Sequence, residues 1–329
     1  MHITNNSDIS LPLAVWLVHD SYDYVKDKQN YISVTGLMKP LRHIVLPALI
    51  PPTQVQPVDA ADFIPSALGH SLHDSLEKAW VLGYETNLKK LGYPQNVIDR
   101  VKVNPKDEDL LSDTIPVYIE QRAFREITVD GVTYTIGGKF DMVSDGIVND
   151  LKSTTVYTWV YGGKDDDYCK QGSLYRWLNP QKITEDYIRI NFIFTDWQGH
   201  MARSDPNYPA KRVMHRDIPL MSEAETEAWI INKLRQITKY SGKPETEVPE
   251  CTSEELWMSD PKYKYYSNPA SATSGGRSTK NFDTLLEANT FMAEKGGKGV
   301  VIPIIPAPKR CGYCDAFPIC TQRNKYKFD

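Results

Sequence analysis

The sequence lacks any long hydrophobic run. A membrane-spanning helix needs about 20 consecutive apolar residues, and no stretch of this 329-residue chain approaches that length. The apolar segment nearest the start, residues 11–18, is short and follows no basic segment, so it does not have the pattern of a secretion signal. We therefore expect a soluble intracellular protein with no membrane partner.

Positive charge is not in excess, and cysteine is scarce. The 38 Lys and Arg residues are outnumbered by 42 Asp and Glu residues, which gives a net charge of −4. This balance argues against a protein that coats nucleic acid through bulk positive charge, but it is compatible with a local groove around an acidic site. Without an export signal, the five cysteines are expected to be thiols or metal ligands rather than a disulfide framework.

The chain has no internal repeat of 20–50 residues, which excludes solenoids and propellers. Its length corresponds to about two domains, and 41% of its residues are hydrophobic, enough for a sizeable core. We divide it into an N-terminal helical or irregular segment (1–60), a core (61–245) and a C-terminal region that closes onto the core (246–329). This last region holds the three cysteines nearest the C-terminus.

Hydrophobic patterns predict a central sheet flanked by helices. Helical spacing and a capping box predict helices at residues 66–82, 168–178 and 222–240. Short β-branched and aromatic runs predict strands within residues 115–152 and at 188–196. The predicted hairpin turns are Asp130-Gly131 and Asp145-Gly146. A loop or linker is expected at 267–281, and the whole order is typical of an α/β or α+β fold.

Two acids and a lysine lie around the second of these turns. The hairpin brings Asp141 beside Asp150, and Lys152, two residues further on, shares a strand face with Asp150. Converging carboxylates are costly unless a cation neutralises them, and Mg²⁺ or Mn²⁺ prefers such oxygen ligands. A neighbouring lysine can position the attacking water. This set is suited to phosphodiester hydrolysis.

These residues resemble the core of the PD-(D/E)XK nucleases, in which an Asp is followed about ten residues later by Asp/Glu-x-Lys. Residues 69–77 (GHSLHDSLE) resemble the Gly-x-x-x-His-x-x-Leu-Glu helix of the RecB-like branch, whose histidine is a metal ligand. The matching residue is His73, although His70 lies three positions away and could share its face. Gln171 and Tyr175 match the Gln-x-x-x-Tyr motif that follows the lysine strand in that branch.

The C-terminal cysteines resemble the tail of the iron–sulfur members of this superfamily, which include CRISPR-associated and AddB-type nucleases. Cys311, Cys314 and Cys320 supply three ligands, and the fourth is Cys251 or Cys169, with Cys251 favoured because it opens a new segment after a proline. Four thiolates suit a [4Fe–4S] cluster or Zn²⁺. The resemblance favours iron–sulfur, in a structural role.

The resemblance implies a restriction-endonuclease-like fold, with a mixed sheet between helices. It further implies a Mg²⁺- or Mn²⁺-dependent deoxyribonuclease, with an exonuclease on single strands or DNA ends favoured. Asp141, Asp150 and His73 would bind the metal, Lys152 would position the water, and Gln171 and Tyr175 would orient the strand. The expected setting is recombination, repair or phage replication in the cytoplasm of a bacterial or phage-infected cell, with a helicase, single-strand-binding or recombination protein as a further partner.

Other interpretations stay open at this point. Glu120 adds a carboxylate to the metal site or pairs with Arg122 or Arg125. Four alternating basic and aromatic residues could follow phosphates and stack on bases, or could form an ordinary tyrosine-rich strand; they are Lys262, Tyr263, Lys264 and Tyr265. At the level of function, the alternatives are an inactive DNA-binding or recombination-accessory protein and a zinc-ribbon interaction protein.

Overall fold

The computed structural model describes residues 2–20 and 22–328, which fall into two compact units. The first unit comprises the chain up to residue 39 and from 56 to 239, and the second comprises 40 to 55 and the chain from 240 onward. This division differs from the boundaries expected at residues 60 and 245. The segment before residue 40 belongs with the central sheet because one of its strands joins that sheet.

Seven of the strands of the first unit form one mixed sheet. In chain order the strands of this unit are β1 (Ile3–Thr4), β2 (Tyr31–Ser33), β3 (Val58–Asp59), β4 (Val101–Val103), β5 (Ile115–Val129), β6 (Val132–Ser144), β7 (Ile147–Thr154), β8 (Tyr187–Phe194) and β9 (Val213–Pro219). The sheet order is β4-β5-β6-β7-β8-β9, with β2 also paired to β6, whereas β1 and β3 pair separately. Neighbours are parallel at β4/β5, β7/β8 and β2/β6, and antiparallel elsewhere along this path.

The α-helices of both units lie before, between and after these strands along the chain. They are α1 (Leu11–Leu17), α2 (Val34–Leu37), α3 (Leu41–Val45), α4 (Ile64–Val81), α5 (Tyr84–Lys90), α6 (Gln95–Ile98), α7 (Val156–Tyr161), α8 (Asp165–Leu178), α9 (Gly199–Ser204), α10 (Glu223–Tyr240), α11 (Pro269–Thr273) and α12 (Leu285–Glu294). The mixed α and β content confirms the expected class. No helix in the described part of the chain is long and apolar enough to cross a membrane.

The three predicted long helices correspond to α4, α8 and α10, and each starts within three residues of its expected position. The capping box that begins α10 is formed. The backbone N–H of Ser222 donates to the Glu225 carboxylate at 2.8 Å, and the N–H of Glu225 donates to the Ser222 hydroxyl at 3.3 Å. These bonds satisfy backbone donors that a helix start leaves unpaired.

Both predicted hairpin turns are present. Asp130 and Gly131, between β5 and β6, have φ angles of 50° and 83°, and Asp145 and Gly146, between β6 and β7, have 51° and 74°. A two-residue turn with both φ values positive matches the twist of the flanking strands and favours Asp-Gly. The second turn sets the register that places Met142 opposite Asn149.

The hydrophobic core of the first unit lies between the sheet and α8. Leu174 of α8 and Phe140 of β6 have no exposed surface, and neither has Ile190 of β8. Each fully buried side chain of this size contributes about 1.5–3 kcal/mol relative to an exposed one. The packing therefore holds β6, β7 and α8, the three elements that carry most of the predicted catalytic residues, in fixed positions.

The second unit contains a small antiparallel sheet of β10 (Lys262–Tyr266), β11 (Lys280–Phe282) and β12 (Val300–Ile304), in the order β11-β10-β12. Helix α12 follows β11. The loop expected at 267–281 is partly ordered structure, since it includes α11 and the start of β11. Its small polar residues concealed a helix start, where the Asn268 side chain caps the N–H of Ala270 at 3.1 Å.

Candidate functional site

A histidine and two carboxylates converge at one edge of the first unit's core. Suitable ligand atoms of His73 (α4), Glu120 (β5) and Asp141 (β6) all lie within 4.8 Å of one another, and they are the only such group of three or more His, Cys, Asp or Glu residues among the described residues. The His73 Nδ1 atom is 3.3 Å from Asp141 Oδ1 and 3.8 Å from Glu120 Oε1. One nitrogen and two carboxylates are a suitable donor set for Mn²⁺ or Mg²⁺.

Glu120 occupies an unusual backbone position. The β5–β6 ladder pairs Ile119 with Met142 and Gln121 with Phe140, and it omits Glu120 and Asp141 between them. Glu120 has a φ of 52°, a left-handed conformation that costs about 1–3 kcal/mol for a residue with a side chain. The interrupted ladder places two acids opposite each other, an arrangement that is destabilising without a neutralising cation.

The protonation of this group reflects its negative charge. Hydrogen bonding to Asp141, and then to Glu120, raises the pKa of His73 to about 10. Burial acts to raise the pKa of Glu120, but hydrogen bonds from His73 and Lys139 outweigh it and leave that pKa below its usual value. A proton on the histidine supplies positive charge between the carboxylates, and a divalent cation would compete with that proton for the site.

Strand β7 adds a second cluster beside the first. The backbone N–H of Leu151 donates to Asp141 Oδ2 at 3.0 Å, which fixes that carboxylate against β7. On either side of Leu151 along β7, Asp150 and Lys152 form an ion pair, with Lys152 Nζ 2.8 Å from Asp150 Oδ2. The spacing of two residues therefore places both side chains on one strand face, as the sequence predicts.

Asp150 is almost fully buried, with 2% of its surface exposed. Burial raises its pKa, and the nearby Lys152 opposes this shift. Its Oδ2 atom lies 2.8 Å from the Lys152 ammonium, so this ion pair compensates the buried negative charge.

Gln171 of α8 contacts this carboxylate, and Tyr175 of the same helix contacts Gln171. Gln171 Nε2 donates to Asp150 Oδ1 at 3.0 Å and to the Tyr175 hydroxyl at 3.3 Å. Only 5% of the Tyr175 surface is exposed, and burial raises its pKa well above its ordinary value. Gln171 therefore holds Asp150 in position, and Tyr175, which also lines the cavity beside His73, holds Gln171.

The structure therefore brings together all of the predicted first-unit residues, but in two clusters. Asp150, a predicted metal ligand, is not in the group within 4.8 Å, and Glu120 takes its place there. Glu120 contacts His73 and Lys139, so its pairing with Arg122 or Arg125 was the wrong interpretation. His73, not His70, contacts the acids, although both histidines line the adjoining cavity of about 410 Å³.

Four cysteines line a cavity within the second unit. They are Cys251, Cys311, Cys314 and Cys320. Cys169, the alternative fourth ligand, lies instead on α8 of the first unit. Burial raises the pKa of Cys251 to about 12 and that of Cys314 to about 11, so both are neutral thiols near neutral pH without a bound cation.

Arg42 of α3 lies beside this cysteine group. Its Nη1 donates to the Cys320 sulfur at 3.1 Å and to the Glu245 carboxylate at 2.5 Å, and Nη2 donates to the Val248 carbonyl at 2.9 Å. Gln322 accepts from the N–H of Cys251 at 2.9 Å and donates to its carbonyl at 2.8 Å. These bonds hold the cysteine segments together without any ligand.

The predicted nucleic-acid contacts on β10 need correction at Tyr265. Its ring is 2% exposed and packs edge-on against Phe291, with ring centroids 5.3 Å apart, and its hydroxyl donates to the Lys298 carbonyl at 2.8 Å. A buried ring cannot stack on a base, so Tyr265 is a core residue. Lys262 is exposed and pairs with Asp283 at 2.5 Å, whereas Tyr263 and Lys264 are half-buried.

The sequence left the role of Glu120 open and indicated Arg122 only as its ion-pair partner, and it did not point to Lys139. Each lines the same cavity as His73 and Asp141. The available signal was a polar run, Glu120-Gln121-Arg122, that directly follows the apolar first part of β5. Polar residues at alternate positions of a strand share one face, and that face lines the cavity.

Comparisons with known proteins add little to this geometry. No family model matches the chain, and no curated protein matches it. A solved structure titled "Crystal structure of SSO0001" is similar, with 20% sequence identity, a TM-score of 0.40, and coverage of 71% of this chain and 88% of that one. A likeness this weak carries no argument about function, so the function must be argued from the site.

Proposed function

We propose that this protein is a Mg²⁺- or Mn²⁺-dependent deoxyribonuclease with a PD-(D/E)XK centre on a restriction-endonuclease-like core. The observation that carries the proposal is the hydrogen bond from the Leu151 N–H to Asp141, which joins the His73–Glu120–Asp141 group to the Asp150–Lys152 pair. An imidazole, three carboxylates and a lysine converge there. Their order along the chain also matches the nuclease pattern.

The residues fit a divalent ion on two counts. His73, Glu120 and Asp141 present ligand atoms within 4.8 Å of one another, and Asp150, which pairs with Lys152, adds a buried carboxylate beside them. We assign the first three as ligands and Asp150 as a third carboxylate that faces the same centre. When bound, the ion would neutralise these acids and stabilise the negative charge that develops on a phosphoryl group.

Lys152 is the group that positions the nucleophile. Burial acts to lower its pKa, but the Asp150 carboxylate outweighs burial and raises that pKa, so the amine stays protonated near neutral pH. An ammonium donates hydrogen bonds and accepts none. Lys152 therefore orients an attacking water and stabilises developing charge, while the carboxylates accept the proton that the water loses.

Gln171 and Tyr175 are positioning residues. The Gln171 amide fixes one oxygen of Asp150 by a bond of 3.0 Å, and the Tyr175 hydroxyl fixes the amide. A catalytic carboxylate must be held close to its productive geometry to be effective. Gln171 acts on the strand through Asp150, and Tyr175, which also lines the cavity, acts through Gln171.

We propose DNA as the substrate, with degradation from ends or of single strands as the favoured mode. The cavity beside the acids is lined by Tyr22 and Tyr31, whose rings suit stacking on unpaired bases. The net charge of −4 limits non-specific binding to duplex DNA, so a helicase, single-strand-binding or recombination protein would deliver the strand.

For the second unit we propose a structural [4Fe–4S] cluster on Cys251, Cys311, Cys314 and Cys320. All four cysteines line one cavity within this unit. Four thiolates suit a [4Fe–4S] cluster or tetrahedral zinc, and the resemblance of the C-terminal cysteines to those of iron–sulfur nucleases favours the cluster.

The nuclease proposal is tested with labelled single-stranded and duplex DNA in the presence of Mg²⁺ or Mn²⁺. Asp150→Asn and Lys152→Met are each expected to lower the cleavage rate roughly a thousandfold. Asp145→Asn is the matched control, because Asp145 is an exposed acid on the same hairpin and asparagine tolerates its positive φ. Circular and end-blocked DNA separate exonuclease from endonuclease activity.

Two results would contradict the proposal. Undiminished cleavage by either active-site variant would remove the site from the reaction. Binding of DNA by the wild-type protein without any cleavage would favour the alternative, an inactive DNA-binding or recombination-accessory protein.

A further inference from the structure

Arg122 and Lys139 form a pair of cations beside the acidic centre. They are directly opposite each other on β5 and β6, and the next residues on the same face are Glu120 and Asp141. Lys139 Nζ lies 2.5 Å from Glu120 Oε2, so the cationic pair adjoins the acidic group. All four residues line the cavity of about 410 Å³.

The guanidinium of Arg122 is not fully satisfied by the protein. The side chain is 13% exposed, and its buried Nη2 makes no hydrogen bond. The nearest anion is Asp23, whose carboxylate oxygen is 3.9 Å from Nη2, too far for a hydrogen bond. Because the Asp23 side chain is 89% exposed, this contact is weak and an incoming anion can displace it at little cost.

The surroundings of Arg122 suit a nucleotide rather than a free ion. The Tyr22 ring lies against the guanidinium, at 5.4 Å from its central carbon to the ring centroid, and Tyr31 lines the same cavity. Arginine presents a planar set of donors that matches phosphate oxygens, and lysine adds a point charge. Aromatic rings beside such a pair can stack on the attached base.

We propose that Arg122 and Lys139 form a subsite for the terminal phosphate of a nucleic-acid strand. A terminal phosphate carries up to about two negative charges near neutral pH, compared with one on an internal phosphodiester, so a pair of cations favours the strand end. The subsite adjoins the acidic centre, and it therefore places a phosphodiester near the strand end at that centre. This inference rests on the proposed nuclease function. It adds that the protein recognises phosphorylated strand ends.

Binding without cleavage tests the subsite separately from catalysis. Single-stranded oligonucleotides of one sequence, with a 5′-phosphate, a 3′-phosphate or only hydroxyl ends, are bound to the full-length protein in EDTA and followed by fluorescence anisotropy. We expect one phosphorylated end to be bound about tenfold more tightly than the hydroxyl-ended strand. Arg122→Gln should abolish this difference, and Lys139→Gln should reduce it.

Arg125→Gln is the matched control. Arg125 lies three residues along the same strand, does not line the cavity and contacts Trp177 instead. It should keep the preference of the wild-type protein. Thermal unfolding of all variants identifies any that fail to fold, and Arg122→Lys provides a milder change that retains the charge but loses the planar donors.

The outcomes distinguish the subsite from the nuclease proposal. A preference for phosphorylated ends that disappears in Arg122→Gln supports the subsite, even if no cleavage is ever observed. No preference in the wild-type protein overturns it, even if the protein cleaves DNA. Equal weakening of all three oligonucleotides by Arg122→Gln also overturns it, because the contact would then be to an internal phosphodiester.

Discussion

The acidic centre and the cysteine centre differ in what holds their residues in place. Asp141 and Asp150 lie on neighbouring strands of a large sheet, and backbone or side-chain donors fix both carboxylates. Cys311, Cys314 and Cys320 lie in a segment of short turns between β12 and the C-terminus. The comparison indicates that strand register fixes the first centre, whereas side-chain hydrogen bonds from Arg42 and Gln322 hold the second, to which the proposed cluster would add rigidity.

Replacement of a single cysteine should have the largest effect. Cys314→Ser removes one of four proposed cluster ligands, and we expect loss of bound iron and sulfide and loss of protection across the second unit. Hydrogen exchange and limited proteolysis of the variant measure this loss, with Cys169→Ser as the control. Retention of iron by Cys314→Ser would show that the cavity does not hold the cluster.

Removal of the divalent ion by a chelator should abolish activity without changing the structure of the acidic centre. EDTA removes Mg²⁺ or Mn²⁺ and is expected to stop cleavage without unfolding the first unit, because its core and hydrogen bonds do not involve the ion. If EDTA abolished the cooperative unfolding of the first unit, the acidic centre would also depend on metal for its structure, and the contrast between the two centres would be wrong.

Replacement of Arg42 measures how much protein contacts alone contribute to the stability of the cysteine centre. The side chain is 4% exposed and pairs with Glu245, which is itself largely buried. Arg42→Met leaves that carboxylate without its cationic partner, although Thr321 still donates to it, and should lower the free energy of unfolding by about 2–3 kcal/mol. Chemical denaturation measures the change, with Arg277→Met as the control. An effect below about 1 kcal/mol would show that the cluster alone determines stability here.

Replacement of Gln171 measures how much activity depends on Asp150 being held in position before the substrate binds. Gln171→Leu removes the donor to Asp150 Oδ1, and the loss of a supporting contact of this kind typically lowers activity 10- to 100-fold. Because Gln171 acts through Asp150, the change should appear in kcat and leave KM nearly constant. A rise in KM alone would instead indicate direct contact with the DNA strand.

Replacement of Glu120 should have the smallest effect, a weaker affinity for Mn²⁺. Glu120→Gln retains the size of the side chain but removes a charged ligand, and we expect Mn²⁺ to bind about tenfold more weakly. Isothermal titration calorimetry measures the affinity, and Glu126→Gln, an exposed acid on the same strand, is the control. Equal affinity in both variants would exclude Glu120 as a ligand and leave His73, Asp141 and Asp150.

Local patterns predicted the long helices and the two hairpins well, because their signals are short-range. Asp-Gly turns set the registers of β5, β6 and β7, and the two-residue spacing placed Asp150 and Lys152 on one face. Strand β2 was not predicted, because it is three residues long and is stabilised by pairing with β6 far along the chain. Tyr265 was misassigned because an alternating Lys-Tyr strand does not reveal which face becomes buried.

The sequence by itself determined the elements of the first unit and the identity of most residues at its acidic centre, since hydrophobic period, turn chemistry and motif spacing are local properties. Only the tertiary structure decided that Glu120 joins His73 and Asp141, that Gln171 holds Asp150, and that Arg122 lies at the same cavity. These relations depend on strand register and on an interrupted ladder. Both are set by contacts between residues distant in sequence.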